Sequence, residues 1–322
     1  MRRTPEITVV IPTRGRWDLL STAALPSALS QEDVDVEVVV VDDGSTDSTA
    51  AGIAALGDPR LRLVRHEQSR GVARARNAGI EAARGEWIAL LDDDDLWSPR
   101  KLRMQLDAAA SIGASFAYGG AAALAEDRSW LYSLAPPDPD VLASTLLARN
   151  VLWGGCSNVI VRLDAVRRLG GFDERLFQLT DWDLWIRLSQ SGRATACPQV
   201  VVACIEHRRS MLLTTDDDIF AEFEYVEAKH RDAREVAGVR LDRRTFTRWV
   251  ALGHRRAGRR FRASRLYLTG AVRNRDPGNL ARALAAPLGE RPVAWARGAV
   301  GRRSSEGSSY LASEPPWVPR YR

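Results

Sequence analysis

The sequence predicts an α/β fold built on a mostly parallel, doubly wound sheet. Short apolar runs of strand length alternate with helical patterns, and two of these runs, at 36–41 and 87–91, end abruptly in aspartates. The run at 87–91 is uninterrupted, which indicates a strand that is covered on both faces, as in the parallel sheet of an α/β protein. Ligands of such sheets bind at the carboxyl ends of the strands. The aspartates are therefore expected at a functional edge.

The elements before residue 118 follow from the same pattern, and Gly and Pro mark their ends. The predicted strands are 7–11, 36–41, 61–65, 87–91 and 114–118, and the predicted helices are 17–30, a helix ending at 56, and 72–84. Pro26 falls inside the first helix and should kink or divide it. Thr46 or Asp47 can cap the second helix. Alternation of this kind predicts parallel strands joined by helices.

The composition is that of a soluble globular protein of 322 residues, of which 45% are hydrophobic and 27% charged. Three cysteines without Cys-x-x-Cys spacing indicate neither a disulfide framework nor a zinc site. No apolar run approaches the roughly 20 residues of a membrane helix, and the start does not resemble a signal sequence. We therefore expect a cytoplasmic protein.

Four consecutive aspartates, Asp92 to Asp95, follow the fourth predicted strand. They cannot all stay ionised where a buried strand meets the surface unless a positive group neutralises them. A divalent cation such as Mn²⁺ or Mg²⁺ would do so, because hard ions take carboxylate oxygens and leave positions for phosphate oxygens. The alternative is a solvated acidic turn before a helix with Ser98 as N-cap and Pro99 at N1, for which one acid would suffice.

Four segments of the chain resemble the family 2 glycosyltransferases of the GT-A fold. They are Val-Val-Ile-Pro-Thr-Arg at 9–14, Val-Val-Asp-Asp-Gly-Ser-Thr-Asp at 40–47, Gly-Val-Ala-Arg-Ala-Arg-Asn-Ala-Gly at 71–79 and Leu-Asp-Asp-Asp-Asp at 91–95. Each match is weak alone, but together they follow one another at the ends of successive predicted strands. The resemblance covers about 5–210 and implies a Rossmann-like nucleotide-diphospho-sugar transferase.

The resemblance implies a nucleotide-sugar site at the first strands. The loop of Pro12, Thr13 and Arg14 would line the nucleotide base, and Asp43 would accept a hydrogen bond from the ring N–H of that base. A carboxylate acceptor favours UDP or dTDP, although guanine also presents an N–H edge and GDP stays open. Arg76 matches the family's Ala-Arg-Asn segment and would clamp ribose or diphosphate.

Structural roles are weighed beside these assignments. Hydrogen bonding between a helix and a loop is an equal alternative for Arg76 and Asn77. For Asp42 we prefer a capping role to a ligand role.

The family's Asp-x-Asp pattern fits the acidic run in two registers, of which we choose Asp92 to Asp94. Asp94 is then implied as a direct metal ligand, while Asp92 and Asp93 would help through the ribose or a metal-bound water. Asp95 would only complement the dipole of the next helix. His207 falls where many relatives place a histidine, and contact with the metal or diphosphate competes there with a plain surface histidine.

The second half of the predicted domain is its acceptor side. Segments 169–174 and 180–185 resemble acceptor-site segments of the family. In the family form, the second acid of a Glu-Asp pair is the proposed catalytic base, so the resemblance implies Asp181, with Thr180 in place of the first acid. A donor half of about 1–118 and an acceptor half of about 119–215, with a Pro-rich loop at 136–139, complete the predicted GT-A domain.

The chain beyond this domain is strongly basic. Residues 231–322 contain 21 basic and 7 acidic residues, whereas 1–230 contain 25 and 34. We predict a helical appendage at 216–300 and a disordered tail at 301–322. Arginines alternating with apolar residues suggest peripheral contact with the inner membrane face near a lipid-linked acceptor, or packing against the acidic domain. No nucleic-acid-binding module is recognisable.

The sequence thus predicts a metal-dependent glycosyltransferase for a cell-surface polysaccharide, a glycolipid or a glycosylated metabolite, and the family resemblance implies inversion at the sugar. A catalytically inactive nucleotide-sugar-binding regulator and a nucleotidyltransferase are the alternatives. Asp43, Asp94 and Asp181 argue against the first, and the lack of a Gly-rich phosphate loop after the first strand argues against the second. The absence of membrane spans and of a Gln-x-x-Arg-Trp signature favours addition of single sugars.

Overall fold

The computed structural model describes residues 4–207, 218–273, 276–288 and 309–321. These residues form two compact units. The first contains the described parts of Met1–Leu146, Val151–Glu206 and Gly307–Arg322, and the second those of Leu147–Asn150 and His207–Glu306.

Ten strands belong to the first unit. They are β1 (Ile7–Thr13), β2 (Val36–Asp43), β3 (Leu61–His66), β4 (Trp87–Leu90), β5 (Asp95–Trp97), β6 (Phe116–Leu124), β7 (Trp130–Leu134), β8 (Ile160–Arg162), β9 (Ala194–Ile205) and β10 (Tyr310–Leu311). The five strands predicted from apolar runs correspond to β1 to β4 and β6. β1 and β2 are buried along their whole length, as a sheet covered on both faces requires.

The helices up to residue 191 lie between these strands. They are α1 (Trp17–Leu19), α2 (Leu25–Leu29), α3 (Thr49–Leu56), α4 (Val72–Ala82), α5 (Lys101–Ile112), α6 (Leu142–Ala148), α7 (Gly155–Asn158), α8 (Leu163–Arg168) and α9 (Thr180–Ser191). A π-helical segment, Leu20–Ala24, joins α1 to α2, so the predicted first helix is divided just before Pro26. Proline has no N–H for the carbonyl of Thr22, and Arg128 Nη2 donates to that oxygen instead, at 3.0 Å.

The strands form one sheet in the order β10-β7-β6-β8-β4-β1-β2-β3, with β9 beside β6 and β5 beside β9. The pairs β1–β2, β1–β4, β2–β3 and β6–β9 are parallel. The remaining pairs are antiparallel. The fold is thus α/β as predicted, with a mixed sheet whose parallel pairs are those among β1 to β4 and the pair β6–β9. Residues 125–129 between β6 and β7 are too few for a parallel crossover, so these strands form a hairpin.

The register of the parallel strands brings the segments with the predicted site residues to one edge of the sheet. Thr13 at the end of β1 lies beside Asp42 in β2. The N–H of Leu91, just after β4, donates to the carbonyl of Val10 at 3.0 Å. The carboxyl ends of β1, β2 and β4 therefore meet at one edge, which is where the aspartates follow.

Asp95 differs from its prediction. It begins β5, pairs with Cys204 in β9, and is buried, so it does not complement a helix dipole. The next helix, α5, has Arg100 as its N-cap, not Ser98. The cause is the apolar Trp97, which is fully buried and donates through its indole N–H to the carbonyl of Ser157 at 2.7 Å. Strand pairing with β9 overrides the cap pattern.

The segment 309–321 also differs from the predicted disordered tail. Its strand β10 pairs antiparallel with β7. Trp317 and Val318 are buried in an apolar cluster with residues of β5, β6 and β9, and the hydroxyl of Tyr321 donates to the carbonyl of Trp97 at 2.9 Å. The Ser- and Pro-rich composition suggested disorder, but these side chains supply enough apolar contact to order the segment.

The second unit is helical in its described part. Its helices are α10 (Ile219–Lys229), α11 (Arg231–Ala237), α12 (Arg243–Arg256), α13 (Arg260–Arg273) and α14 (Pro277–Ala285). An apolar cluster of Ala251, Ala263, Tyr267, Ala283 and Ala286 joins the last three. Over the residues that the structure describes, no helix has the length and apolar character needed to cross a bilayer.

Candidate active site at the carboxyl edge of the sheet

The acidic run after β4 is neutralised by two arginines. Asp93 is buried, and its Oδ2 accepts a hydrogen bond from Thr13 Oγ1 at 2.7 Å. Arg16 lies 3.2 Å from Asp93 Oδ1 and 2.8 Å from Asp94 Oδ2. Burial raises the pKa of Asp93 to about 7, against the opposing charge of Arg16. The guanidinium of Arg16 is thus the positive group beside Asp93 and Asp94, where the sequence predicts a divalent cation.

Arg76 neutralises Asp92 from the other side. It is buried, its Nη2 donates to Asp92 Oδ1 at 2.7 Å, and its Nη1 donates to Thr180 Oγ1 at 3.0 Å. Its guanidinium carbon lies 5.4 Å from the centre of the Phe172 ring. Burial acts to lower the pKa of Arg76, but Asp92 and Asp181 are among the charges that hold it above its ordinary value. One side chain therefore joins the acidic run to the start of α9.

Asp181 lies in the first turn of α9 and is half-buried. Its Oδ1 accepts a hydrogen bond from the N–H of Trp182 at 2.6 Å, so it does bond the helix end. Its Oδ2 faces Gly155, where an added Cβ would lie 3.2 Å away. Gly155 has φ +48°, which also favours glycine. The backbone of Gly155 thus approaches one carboxylate oxygen of Asp181 closely, and the charge of Asp181 acts on Arg76.

Asp43 organises the loop after β3. Its two oxygens accept from the Ser69 hydroxyl at 2.7 Å and from the N–H groups of Arg70 and Gly71 at 2.9 and 3.0 Å, and Oδ1 lies 2.7 Å from His66 Nδ1. Burial acts to raise the pKa of Asp43, but these hydrogen bonds hold it below its usual value. A base N–H would have to share an oxygen with these donors, and the assignment of Asp43 to base recognition stays a prediction.

Three neighbouring side chains bond the backbone, although the N-cap of α3 is Ser48 and not Thr46 or Asp47 as predicted. Asp42 Oδ1 accepts from the N–H of Ser45 at 2.8 Å, which closes the turn after β2. Asp47 Oδ1 accepts from the N–H of Thr49 at 3.1 Å, at the start of α3. Asn77 bonds Phe172 twice, donating to its carbonyl at 3.0 Å and accepting from its N–H at 2.8 Å. Asn77 therefore joins a helix to a loop.

The other predicted residues lie as follows. Pro12 is buried in β1 and Arg14 is exposed in the turn after it. His207 lies two residues after the end of β9 and begins the longer stretch of the second unit, and its assignment as a metal ligand stays a prediction. Sequence reasoning did not single out Arg16, His66 or Ser69, which contact the predicted acids. The only signal for Arg16 was its place in the polar turn that ends β1.

The donor atoms at the acidic run fit a hard divalent cation. Within the described ranges, no three His, Cys, Asp or Glu side chains are grouped as a ready-made metal site. Asp93 Oδ1 is nevertheless buried without a hydrogen bond, and Asp93 and Asp94 together hold the guanidinium of Arg16. Carboxylate oxygens already bound to a positive group are the ligand type that Mn²⁺ and Mg²⁺ take. For such an ion to bind, the guanidinium of Arg16 would have to move away from these carboxylates.

Arg16→Gln is expected to increase the stabilisation that Mn²⁺ alone gives. Without Arg16, Asp94 loses its positive neighbour and should bind the ion more tightly. A tenfold gain in affinity corresponds to about 1.4 kcal/mol, or a rise of roughly 3–6 °C in melting temperature for a domain of this size. Melting curves with and without Mn²⁺ measure it. Arg14→Gln, exposed in the same turn, is the control, and an equal response in both variants contradicts the expectation.

The sequence model of glycosyl transferase family 2 matches residues 8–167. The succinoglycan biosynthesis protein ExoO of Rhizobium meliloti is 49% identical over 115 residues, which are 36% of this chain and 33% of that protein. WfaP of Escherichia coli, a UDP-Glc:α-D-GlcNAc-diphosphoundecaprenol β-1,3-glucosyltransferase, is 35% identical over 170 residues, 53% of this chain and 65% of its own length. The chain thus spans only part of these relatives.

Solved structures share the fold over most of the chain. S. aureus TarS in complex with UDP-GlcNAc has a TM-score of 0.54 and 17% identity, covering 96% of this chain and 99% of the other. The mannosyltransferase PcManGT of Pyrobaculum calidifontis, in complex with GDP-Man and Mn²⁺, has a TM-score of 0.50 and 21% identity, covering 94% and 77%. At this identity the likeness establishes the GT-A fold.

Proposed function

Because the chain belongs to glycosyl transferase family 2 through residues 8–167, we propose that it transfers a sugar, with inversion, from a nucleotide-diphospho-sugar to an acceptor hydroxyl. The observation that carries the proposal is the bridge of Arg76 between Asp92 and Thr180. The bridge joins Asp92, which is assigned to the donor, to the residue before Asp181, and the charge of Asp181 also acts on Arg76, which supports a common site for both groups. A site for donor and acceptor chemistry needs these groups together.

The reaction is a single displacement. The acceptor oxygen forms a bond to the anomeric carbon while the bond from that carbon to the diphosphate oxygen breaks, and the nucleoside diphosphate leaves with the electron pair. Asp181 takes the proton of the acceptor hydroxyl as general base. Attack from the face opposite the leaving group inverts the anomeric carbon.

The residues of the acidic run would hold the donor. Asp94, with Asp92, would bind a divalent cation, which when bound supplies positive charge for the leaving diphosphate. Asp93 stays fixed by Thr13 and positions the run. Asp95 is bonded to Ser157 and Cys204 in the interior, which supports assigning the family pattern to Asp92–Asp94. Pro12, Thr13 and Arg14 would border the base and Asp43 would accept from it.

The acceptor is proposed from the relatives' chemistry. ExoO is named for succinoglycan biosynthesis and WfaP for transfer to a sugar on diphosphoundecaprenol. We therefore propose a lipid-linked sugar acceptor in the synthesis of a cell-surface polysaccharide, with peripheral contact at the inner face of the membrane. Transfer of a UDP-sugar to such an acceptor, followed by mass spectrometry and NMR of the anomeric centre, tests it. Donor binding without any product would favour the regulatory alternative.

UDP or dTDP is expected to stabilise the chain more than GDP does when Mn²⁺ is present. The physical reason is the carboxylate of Asp43, an acceptor suited to the single ring N–H of uracil or thymine. A thermal-shift panel of the three nucleotides, each with and without its sugar, measures the difference. Preferential stabilisation by GDP would remove the assignment of Asp43 but not the proposed transfer.

A further inference from the structure

Helix α13 in the second unit has two opposite faces. Ala263, Tyr267 and Gly270 are buried, and the first two belong to the apolar cluster shared with α12 and α14. On the other side, Phe261, Leu268 and Val272 are 83%, 48% and 73% exposed. Their spacing of seven and four residues aligns them along one side of a helix. We call these three residues the apolar stripe.

Arginines surround the apolar stripe. Arg265 falls in the same line of the helix, four residues after Phe261, and Arg260, Arg262 and Arg273 flank it. All four are exposed. From Arg243 to Arg275 the sequence has eleven arginines and no Asp or Glu. The stripe therefore lies on a helix whose own sequence carries only positive charge.

The next helix repeats the arrangement. In α14, Asn279 and Ala283 are buried. Leu280 and Leu284 are exposed on its other side, with Arg282 also exposed. Both α13 and α14 therefore expose apolar side chains to solvent, although each also contributes buried residues to the shared apolar cluster. Exposed apolar side chains aligned on one helix and repeated on the next indicate an interaction surface.

We infer that the apolar stripe docks the second unit onto a bilayer that contains anionic phospholipid. Phe261, Leu268 and Val272 would enter the boundary between headgroups and acyl chains, where an amphipathic helix buries its apolar face. Arg262 and Arg265 would reach lipid phosphates, to which guanidinium groups bind in a bidentate manner. The inference rests on the proposed function only in that a lipid-linked acceptor gives the contact a use.

Charge distinguishes this occupant from a second copy of the chain. A symmetric pairing of two stripes would bring two arginine-rich faces together, and like charges across an interface oppose association. An anionic membrane surface instead complements the arginines and accepts the apolar side chains at the same time.

Sedimentation with vesicles of phosphatidylglycerol and phosphatidylcholine tests the docking. The full chain is expected to sediment with the mixed vesicles at low salt and to stay in solution with phosphatidylcholine alone. The triple variant Phe261→Ser, Leu268→Ser, Val272→Ser should bind at least about tenfold more weakly. Val236→Ser is the matched control, since Val236 is 91% exposed on another helix, α11, and its loss should change nothing.

Two results would overturn the inference. One is unchanged binding of the triple variant to anionic vesicles. The other is a lipid-free oligomer of the wild type, seen by light scattering, that the triple variant turns into monomer, because the stripe would then be an interface between copies. Melting curves should coincide for all variants, as the substituted side chains are exposed. Stabilisation by nucleotide should also be unchanged, so failure of docking and failure of the proposed transfer are separate results.

Discussion

Asp181→Asn is expected to lower turnover by roughly 100-fold or more, as the loss of a general base does. Donor affinity and melting temperature should stay at wild-type values. Asparagine keeps the oxygen that accepts from the N–H of Trp182, so the helix end is still satisfied. It cannot take the proton of an acceptor hydroxyl. Steady-state rates with saturating donor, together with donor titration by calorimetry, measure both quantities.

Asp164→Asn is the matched control for this change. Asp164 is an exposed carboxylate in the first turn of α8, paired with Arg168 at 2.6 Å. Its conversion to an amide should leave turnover unaltered. If Asp181→Asn retained near wild-type turnover, Asp181 would be a helix cap and the base would have to be sought elsewhere.

Arg76→Met is expected to cost both stability and activity. The change leaves Asp92 without its partner, and breaking a buried ion pair costs about 3–5 kcal/mol. We expect the lower end, about 3 kcal/mol, because the Asp92 side chain is 34% exposed and water can reach it. The melting temperature should fall by roughly 6–12 °C. Turnover should fall further than unfolding explains, since Asp92 and the start of α9 are no longer joined.

Arg74→Met, two residues earlier on α4, is the control that distinguishes a general effect on the helix from the loss of the Arg76 ion pair. Arg74 pairs with Glu174 at the surface, so its loss should change stability by less than about 1 kcal/mol. Arg76→Lys tests the bridge itself, since a single ammonium lacks the fork that reaches Asp92 and Thr180 together. Arg76→Lys with wild-type melting and turnover would show that the bridge is dispensable.

The sequence was sufficient for the parts of the fold that local patterns determine. The runs at 7–11 and 36–41 are apolar except for Thr8 and Glu37 because β1 and β2 are buried on both faces, so the parallel half of the sheet could be predicted. β5 could not, since Asp95 to Trp97 become a strand only through pairing with β9, about a hundred residues further on. The same holds for β10, whose partner is β7.

The site residues likewise include some that local sequence patterns predict and some that they do not. The acids could be found because they follow apolar runs, and Asp181 through a resemblance of segment 180–185. Arg16 was missed, and Arg76 was found but its contacts were not, since Arg16 meets Asp94 across 78 residues and Arg76 meets Thr180 across 104. Nothing in the immediate neighbourhood of either arginine indicates such a contact. Pairing between distant residues is a property of the folded chain, not of a motif.

The segment 309–321 has a consequence for the order in which the chain can fold. Tyr321 bonds the carbonyl of Trp97 across 224 residues, and Trp317 packs in the cluster that contains Leu96. β5, directly after the acids of the site, therefore gains its last contacts only when residues 309–321 have been synthesised. Contacts so distant in sequence form late, because a long loop must close first. During synthesis the nascent chain would hold the edge of β7 unpaired until then, a state in which chaperones bind and aggregation competes.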